Sequence, residues 1–252
     1  MDLIVGKGHL GTTEEAWSAS DRLRNLPHLD VPKARQALIV APHPDDEVLG
    51  AGGLVYRLLA ASVRLEVLAV TDGEASHPLS AEARAIDLAA VRSGEVVTSL
   101  GHLGWDQPKV TRLGIPDGYV RQFEDEVAEA IRLRLRPGDL CIAPWTSDGH
   151  PDHDVVGRIS EAISVDVGAT LLGFLVWAWH WADPRGMDLP WDRLARLDLR
   201  PAEKDAKRRA VLAFRSQIRP LGPDPEDAPV LPPSVLRRFV RDYEVYVLGQ
   251  KG

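Results

Sequence analysis

The sequence predicts an α/β fold: a Rossmann-like, mostly parallel sheet with helices on both faces, in a single domain. Three observations carry that prediction. Apolar runs of strand length recur at 36–41, 64–70, 139–143 and 169–181. Cap-bounded helical stretches alternate with them, which is the pattern of successive βα units. The length, 252 residues, suits one large domain with a substantial core. Hydrophobic residues at 44% and charged residues at 27% are ordinary globular values and exclude wholesale disorder.

Residues 1–36 form a preamble. Thr12 and Glu15 stand at capping-box spacing, and Ala16, Trp17, Leu23 and Leu26 line one side of a short helix. The opening residues, with Asp2, Lys7 and His9, lack the basic start and apolar stretch of a secretory leader. No run approaches the roughly 20 apolar residues of a membrane span, so a soluble, cytoplasmic protein is expected. Residues 36–41 read as a buried strand, 43–46 as a turn and 47–61 as a helix. A second strand, 64–70, ends in Thr71-Asp-Gly-Glu74. One long helix is expected over 80–100. A short strand at 109–114 leads into the turn Ile115-Pro-Asp-Gly118.

A helix over 124–135 is stopped by Pro137-Gly138. The strand 139–143 follows, then Pro144 to Gly149. Pro151 suits the first turn of a helix that runs to about residue 163. A strand is expected over 169–181; with period two, Trp177, Trp179 and Trp181 share one face and His180 lies on the other. Pro201 opens a helix to about residue 217. Six prolines within 220–233 make a stiff, irregular loop. A final strand is read at 239–248. There is no sequence repeat and no linker.

The chain carries 30 Lys and Arg against 37 Asp and Glu, a net charge of −7. Phosphate backbones need a basic surface, so nucleic acid is a poor partner in general. A single cysteine, Cys141, excludes an internal disulfide and reads as a small buried hydrophobe. The apolar surface of the Trp-rich and N-terminal segments leaves a homo-oligomer open.

The chemistry sits in two similar tetrapeptides, His43-Pro-Asp-Asp46 and His150-Pro-Asp-His153. Each follows a buried strand and precedes a helix. In a parallel α/β sheet, ligands bind at the carboxyl ends of the strands, so the two turns can face each other if their strands are neighbours. The spacing of three lets the side chains of one tight turn converge. Imidazole and carboxylate are good Zn²⁺ ligands, and a catalytic site takes three protein ligands and leaves a position for water. The remaining carboxylates and imidazole are available for proton transfer. Gly50-Ala-Gly-Gly53 does not follow the strand directly and lacks the third glycine of a dinucleotide loop. Close helix–strand packing explains it better.

The stretch Ala41-Pro-His-Pro-Asp-Asp-Glu-Val-Leu-Gly-Ala-Gly-Gly53, with Asp148-Gly-His-Pro-Asp-His153 downstream, resembles the PIG-L/LmbE-like zinc-dependent N-deacetylase family. Supporting agreement is found in Thr71-Asp-Gly-Glu74, Arg92-x-x-Glu95, Pro116-Asp-Gly118 and Ser216-Gln217, so the resemblance spans about residues 36–218. It implies one Zn²⁺ per chain held by His43, Asp46 and His153. Asp45 would be the general base for a zinc-activated water. His150 would be the electrophile or general acid, and Asp152 would orient it. The implied reaction removes the N-acetyl, or another N-acyl, group from an amino-sugar-containing small molecule. Some relatives carry a tyrosine where this chain has Asp148, which leaves the oxyanion to zinc and His150, or to a tyrosine such as Tyr119. Arg92 and Asp117 are the substrate-side candidates, and the 220–233 loop reads as a lid or as plain surface.

Three alternatives carry distinct signatures. An amidase for a larger acyl group or a thiol conjugate would use the same machinery. A two-metal phosphoesterase would bind about two metals per chain and draft Asp45 and Asp152. A non-catalytic nucleotide- or partner-binding module would lack zinc and tolerate Asp45→Ala.

Overall fold

The computed structural model describes residues 11–249. Asp2, Lys7 and His9 lie outside the described residues. In chain order the elements are α1 (Glu14–Ser18), α2 (Asp21–Arg24), β1 (Gln36–Ala41), α3 (Asp46–Ala60), β2 (Arg64–Thr71), α4 (Ala81–Ala85), α5 (Leu88–His102) and β3 (Val110–Ile115). Then come α6 (Glu124–Arg134), β4 (Leu140–Pro144), α7 (Pro151–Val167), β5 (Thr170–Phe174), α8 (Ala178–Trp181) and β6 (Leu194–Asp198). The series ends with α9 (Pro201–Val211), α10 (Arg215–Ile218), α11 (Pro233–Leu236) and β7 (Tyr243–Leu248).

The seven strands form one sheet in the order β3-β2-β1-β4-β5-β7-β6. β1 to β5 run parallel, while β7 is antiparallel to both β5 and β6. Strand side chains alternate between two apolar layers. Ala37, Ile39 and Ala41 pack with α3, α5 and α9 on one face. Leu38 and Val40 pack with α6 and α7 on the other, where Cys141 is fully buried as expected and its thiol is pushed up to about 12 by that burial. Helices on both faces are what a parallel sheet requires to bury its strands. Among the described residues no helix is long and apolar enough to cross a membrane.

Gly50 shows why the glycines of α3 are there. A Cβ at that position would lie 2.4 Å from the ring of Phe174 on β5, so only glycine lets helix and strand approach this closely. A buried ion pair then ties the layers together: Lys207 on α9 donates to Glu244 on β7 at 2.7 Å and to the Leu49 carbonyl at 2.9 Å. Removing one partner of such a pair strands the other charge, at a cost of about 3–5 kcal/mol.

Several expected boundaries move, each for a local reason. The cap of α1 is Thr13, one residue past the expected Thr12. The helix expected over 80–100 is two, because Ile86 turns extended and Asp87 accepts from the Ala90 N–H to start α5 afresh. The helix expected from 201 ends at Val211, and α10 follows after Phe214. The 220–233 loop holds a short 3-10 turn at Pro225–Asp227, pinned to α4 where Ser80 donates to Asp227 at 2.5 Å. β6 lies in a stretch with no expected element. The final strand begins at Tyr243 rather than at 239.

The largest correction is at 169–181. The strand stops at Phe174, and residues 178–181 are helical. The amides of Val176, Trp177 and Ala178 donate to the Asp148 carboxylate at 2.9–3.0 Å, which bends the chain out of the sheet. Trp177, Trp179 and Trp181 therefore share no strand face.

Candidate metal centre

β1 and β4 are neighbours: the chain winds outward from β1 through β2 to β3, then crosses back to place β4 on the other side of β1. That is the switch point of the sheet, where a crevice opens beyond the carboxyl ends of the strands. His43-Pro-Asp-Asp46 follows β1 and His150-Pro-Asp-His153 follows β4, so the topology brings the two tetrapeptides together.

Three atoms meet there. His43 Nδ1 lies 3.2 Å from His153 Nε2 and 3.3 Å from Asp46 Oδ2, and His153 Nε2 lies 3.2 Å from Asp46 Oδ2. Ligands about 2.0–2.1 Å from a tetrahedral zinc sit about 3.3 Å from one another. The triangle thus has the edge length of one face of such a tetrahedron. Charge points the same way. Burial alone would lower the pKa of both imidazoles, but the surrounding carboxylates overcome it. His43 is raised well above its ordinary value by Asp117, Asp152 and Asp46, and His153 is raised to about 9 by Asp46 and Asp148. Burial would also push Asp46 up, yet His153 and His43 hold it well below the usual carboxylate range. The pocket carries a surplus of buried negative charge, which a divalent cation neutralises while displacing imidazole protons.

Each imidazole of the triangle has a carboxylate behind it. His153 Nδ1 faces Asp148 Oδ2 at 2.9 Å. His43 Nε2 faces Asp117 Oδ1 at 3.2 Å and Asp152 Oδ2 at 3.4 Å. Such outer carboxylates fix the ring orientation and tautomer of a ligand histidine. Asp148 was not among the expected site residues. The sequence shows an acid five positions before His153, but nothing in it says that the carboxylate is buried or turned toward that ring.

Asp45 sits at φ 118°, a left-handed conformation that is strained for a side chain other than glycine. It occupies the cap position of α3 without making a side-chain cap. Its carboxylate meets Arg92 at 3.3 Å instead. Burial pushes the Asp45 carboxyl up to about 7, against the pull of Arg92 and with Asp46 adding to it. A carboxylate poised near neutrality suits a general base. Behind it, Glu47 accepts from the Asp45 N–H at 3.1 Å and is pushed up to about 8 by burial.

His150 lies beside the triangle, its ring centre 4.8 Å from that of His43 and 5.1 Å from that of His153. One nitrogen from each of the three rings falls within 4.8 Å of the others. Its Nδ1 accepts from the Asp152 backbone N–H at 3.2 Å. An amide can only donate, so Nδ1 carries no proton and the proton of the neutral ring is on Nε2. Burial and the neighbouring His43 and His153 lower its pKa to about 3.

Two expected roles look different in the structure. Asp152 reaches His150 through its backbone. Its carboxylate turns to His43 and accepts from the Gly118 N–H at 2.8 Å and the Val120 N–H at 3.3 Å. Arg92 is buried, and its guanidinium is committed to the carbonyls of Gly73 and Pro44 at 2.6 Å each. It braces the Asp45 turn from behind. Asp117 lines the site, between the Ala75 N–H at 3.1 Å and the His43 ring. Tyr119, two residues on, is exposed.

The family model described as GlcNAc-PI de-N-acetylase, PIG-L, matches residues 38–164, half of the chain. The protein belongs to the PIG-L family. Among PIG-L relatives, a diacetylchitobiose deacetylase of Thermococcus kodakarensis is 34% identical over 161 residues, covering 60% of this chain and 58% of its own. This chain thus spans under two thirds of that relative. A 1D-myo-inositol 2-acetamido-2-deoxy-alpha-D-glucopyranoside deacetylase of Rhodococcus opacus is 26% identical, covering 73% of this chain and 82% of its own. The solved N,N'-diacetylchitobiose deacetylase of Pyrococcus horikoshii shares the fold, with a TM-score of 0.56 and 22% identity over 76% of this chain and 72% of that one. The matched region contains both tetrapeptides and ends within α7, before the Trp-rich segment.

Proposed function

We propose that this PIG-L protein is a zinc-dependent hydrolase that removes the N-acetyl group from an amino-sugar-containing small molecule. The observation that carries the reading is the 3.2–3.3 Å triangle of His43, Asp46 and His153 with a buried acid beside it. The relatives named as deacetylases of N-acetylated amino sugars support the substrate class.

His43 Nδ1, Asp46 Oδ2 and His153 Nε2 would hold one Zn²⁺. When bound, the ion supplies Lewis-acid polarisation of the amide carbonyl and makes water a better nucleophile at neutral pH. Asp45 takes the proton of the attacking water as its oxygen bonds to the amide carbon. Arg92, through the Pro44 and Gly73 carbonyls, keeps the Asp45 turn in place. His150 donates from Nε2 to the oxygen that gains charge in the transition state. The C–N bond then breaks, and the proton held by Asp45 passes to the leaving nitrogen. Acetate and the free amine are the products. Asp152 and Asp117 hold His43, and Asp148 holds His153.

The test is to load the protein with Zn²⁺ and assay N-acetylglucosamine and its glycosides for released amine and acetate. Turnover that is lost on chelation and restored by one equivalent of zinc is expected. A protein that binds zinc stoichiometrically yet releases no amine from any N-acyl amino sugar overturns the reading. Release only from long-chain acyl amides would move it to the amidase alternative.

A further inference from the structure

Of the three tryptophans in 177–181, two are used up inside the fold. Trp179 is buried edge-on against Trp17, with ring centres 4.9 Å apart. Trp181 stacks on Trp145 and donates its indole N–H to the Asp148 carbonyl at 2.7 Å. Trp177 is different. Like Trp181 it is partly exposed, but its ring centre lies 5.3 Å from that of His150, the residue assigned to the reacting oxygen. Among the described residues its indole N–H donates to nothing.

The position of Trp177 is also fixed. Its backbone N–H and those of its two neighbours bind the same Asp148 carboxylate that orients His153. On the other side, the N-terminal segment clamps the stretch after it. The Thr12 N–H donates to the His180 carbonyl at 2.7 Å, the Thr12 hydroxyl to the Ala182 carbonyl at 2.8 Å, and the Trp17 indole to the Trp179 carbonyl at 2.9 Å. His180 backs the Trp177 ring at 5.4 Å. One buried carboxylate therefore ties the His43, Asp46 and His153 triangle to a partly exposed indole that lies beside His150.

Resting on the deacetylase reading, we propose that Trp177 is the platform for the substrate's pyranose ring and the residue that makes the site prefer sugar amides over acyclic ones. A pyranose has an apolar C–H face and hydroxyls around its edge, which matches an indole with an unused N–H. A rigid aromatic surface supplies packing at little entropic cost. Trp177 lies beyond residues 38–164, so the family match does not assign it.

The experiment compares zinc-loaded wild type, Trp177→Ala and Trp177→Phe on methyl N-acetylglucosaminide and on N-acetylethanolamine. The ratio of kcat/KM for the sugar to that for the acyclic amide should fall roughly 3- to 10-fold in Trp177→Ala. The loss should sit in KM, and Trp177→Phe should recover most of it. An unchanged ratio overturns the proposal while leaving the deacetylase reading intact. Zinc content and circular dichroism check folding; if Trp177→Ala fails them, Trp177→Leu and Trp177→Phe make the same comparison. Should the wild type cleave neither amide, the deacetylase reading is decided by the wider set of N-acyl amino sugars. Calorimetric titration with the methyl glycoside then judges the platform: weaker binding in the variant supports it, and equal or absent binding overturns it.

Discussion

The two His-Pro-Asp turns have nearly the same sequence and sit in the same topological position, yet their backbones differ at the third residue. In the first turn Asp45 is forced to φ 118° and leaves the helix cap unmade. In the second, His150 is an ordinary extended cap at φ −105°, ψ 132°, and Asp152 lies within the first turn of α7. The consequence is a division of labour. The strained Asp45 carboxyl points at Arg92 and is pushed up to about 7, mainly by burial. The relaxed Asp152 carboxyl also pays for burial, but His43 and the Gly118 N–H hold it below its ordinary range. One carboxyl is raised toward neutrality; the other is held low beside the His43 ring. Identical residue types acquire opposite roles from one backbone dihedral and the partners it selects.

The largest expected effect tests the first half of that contrast. Asp45→Asn should lower kcat by about 10²–10⁴-fold, the range for loss of a general base, with zinc content unchanged. Asp152→Asn should do the reverse: weaken zinc binding about 10–100-fold and cost much less in kcat once the metal is saturating. Asp148→Asn should resemble Asp152→Asn, because each carboxylate backs one ligand imidazole. Competition with a chromophoric chelator reads the affinity and steady-state kinetics the turnover. If Asp45→Asn and Asp152→Asn gave the same phenotype, the division would not exist.

The contrast also explains what was legible in the sequence. Strands β1, β2 and β4 announce themselves because a parallel sheet is buried on both faces and its strands are almost wholly apolar. The pairing of the tetrapeptides was legible because each follows such a strand. The outer carboxylates were not. Asp148 and Asp117 are acids in polar loops and Asp152 opens α7, and only tertiary structure decides whether such a group faces solvent or a ring. The same carboxylate misled the reading of 169–181, since a side chain cannot be seen to replace a strand ladder. The break at Ile86 was hidden for a similar reason: Asp87 is equally at home in a helix and at a cap.

A smaller effect isolates the strain itself. Asp45→Gly should raise the stability of the metal-free protein by about 1 kcal/mol, because glycine adopts φ 118° freely and the buried acid is gone. Asp152→Gly should destabilise, since it removes the acceptor of two backbone amides and places glycine in a helix. Opposite shifts of the denaturant midpoint at constant slope are expected. Shifts of the same sign would mean that Asp45 carries no strain.

The smallest effect is a pH dependence, and its sign follows from which groups are raised. Asp45 titrates near 4 when unfolded and is pushed up to about 7 when folded. The folded metal-free protein therefore binds that proton more tightly, and stability falls as pH rises from about 4 through 7. His153, raised to about 9, contributes stability below about 6.5 that is lost as pH rises through about 9. His43 is raised as well and acts in the same direction. Asp46 and Asp152 are lowered, so their contribution is present above the ordinary carboxylate range and is lost only in stronger acid. His150 and His180, each lowered to about 3, act in the opposite direction below about 6.5, so the Tm of the metal-free protein should decline between pH 6.5 and 8.5. Bound zinc takes the place of these protons, so the rise in Tm on adding it should grow across the same interval. Scanning calorimetry with and without zinc at three pH values reads both. Asp45→Asn should flatten the decline at the acid end and Asp152→Asn should not, which separates the two acids without any turnover assay. A metal-free Tm that climbs with pH would mean that the surplus of buried carboxylates does not hold protons, and the charge argument for a cation between the two turns would go with it.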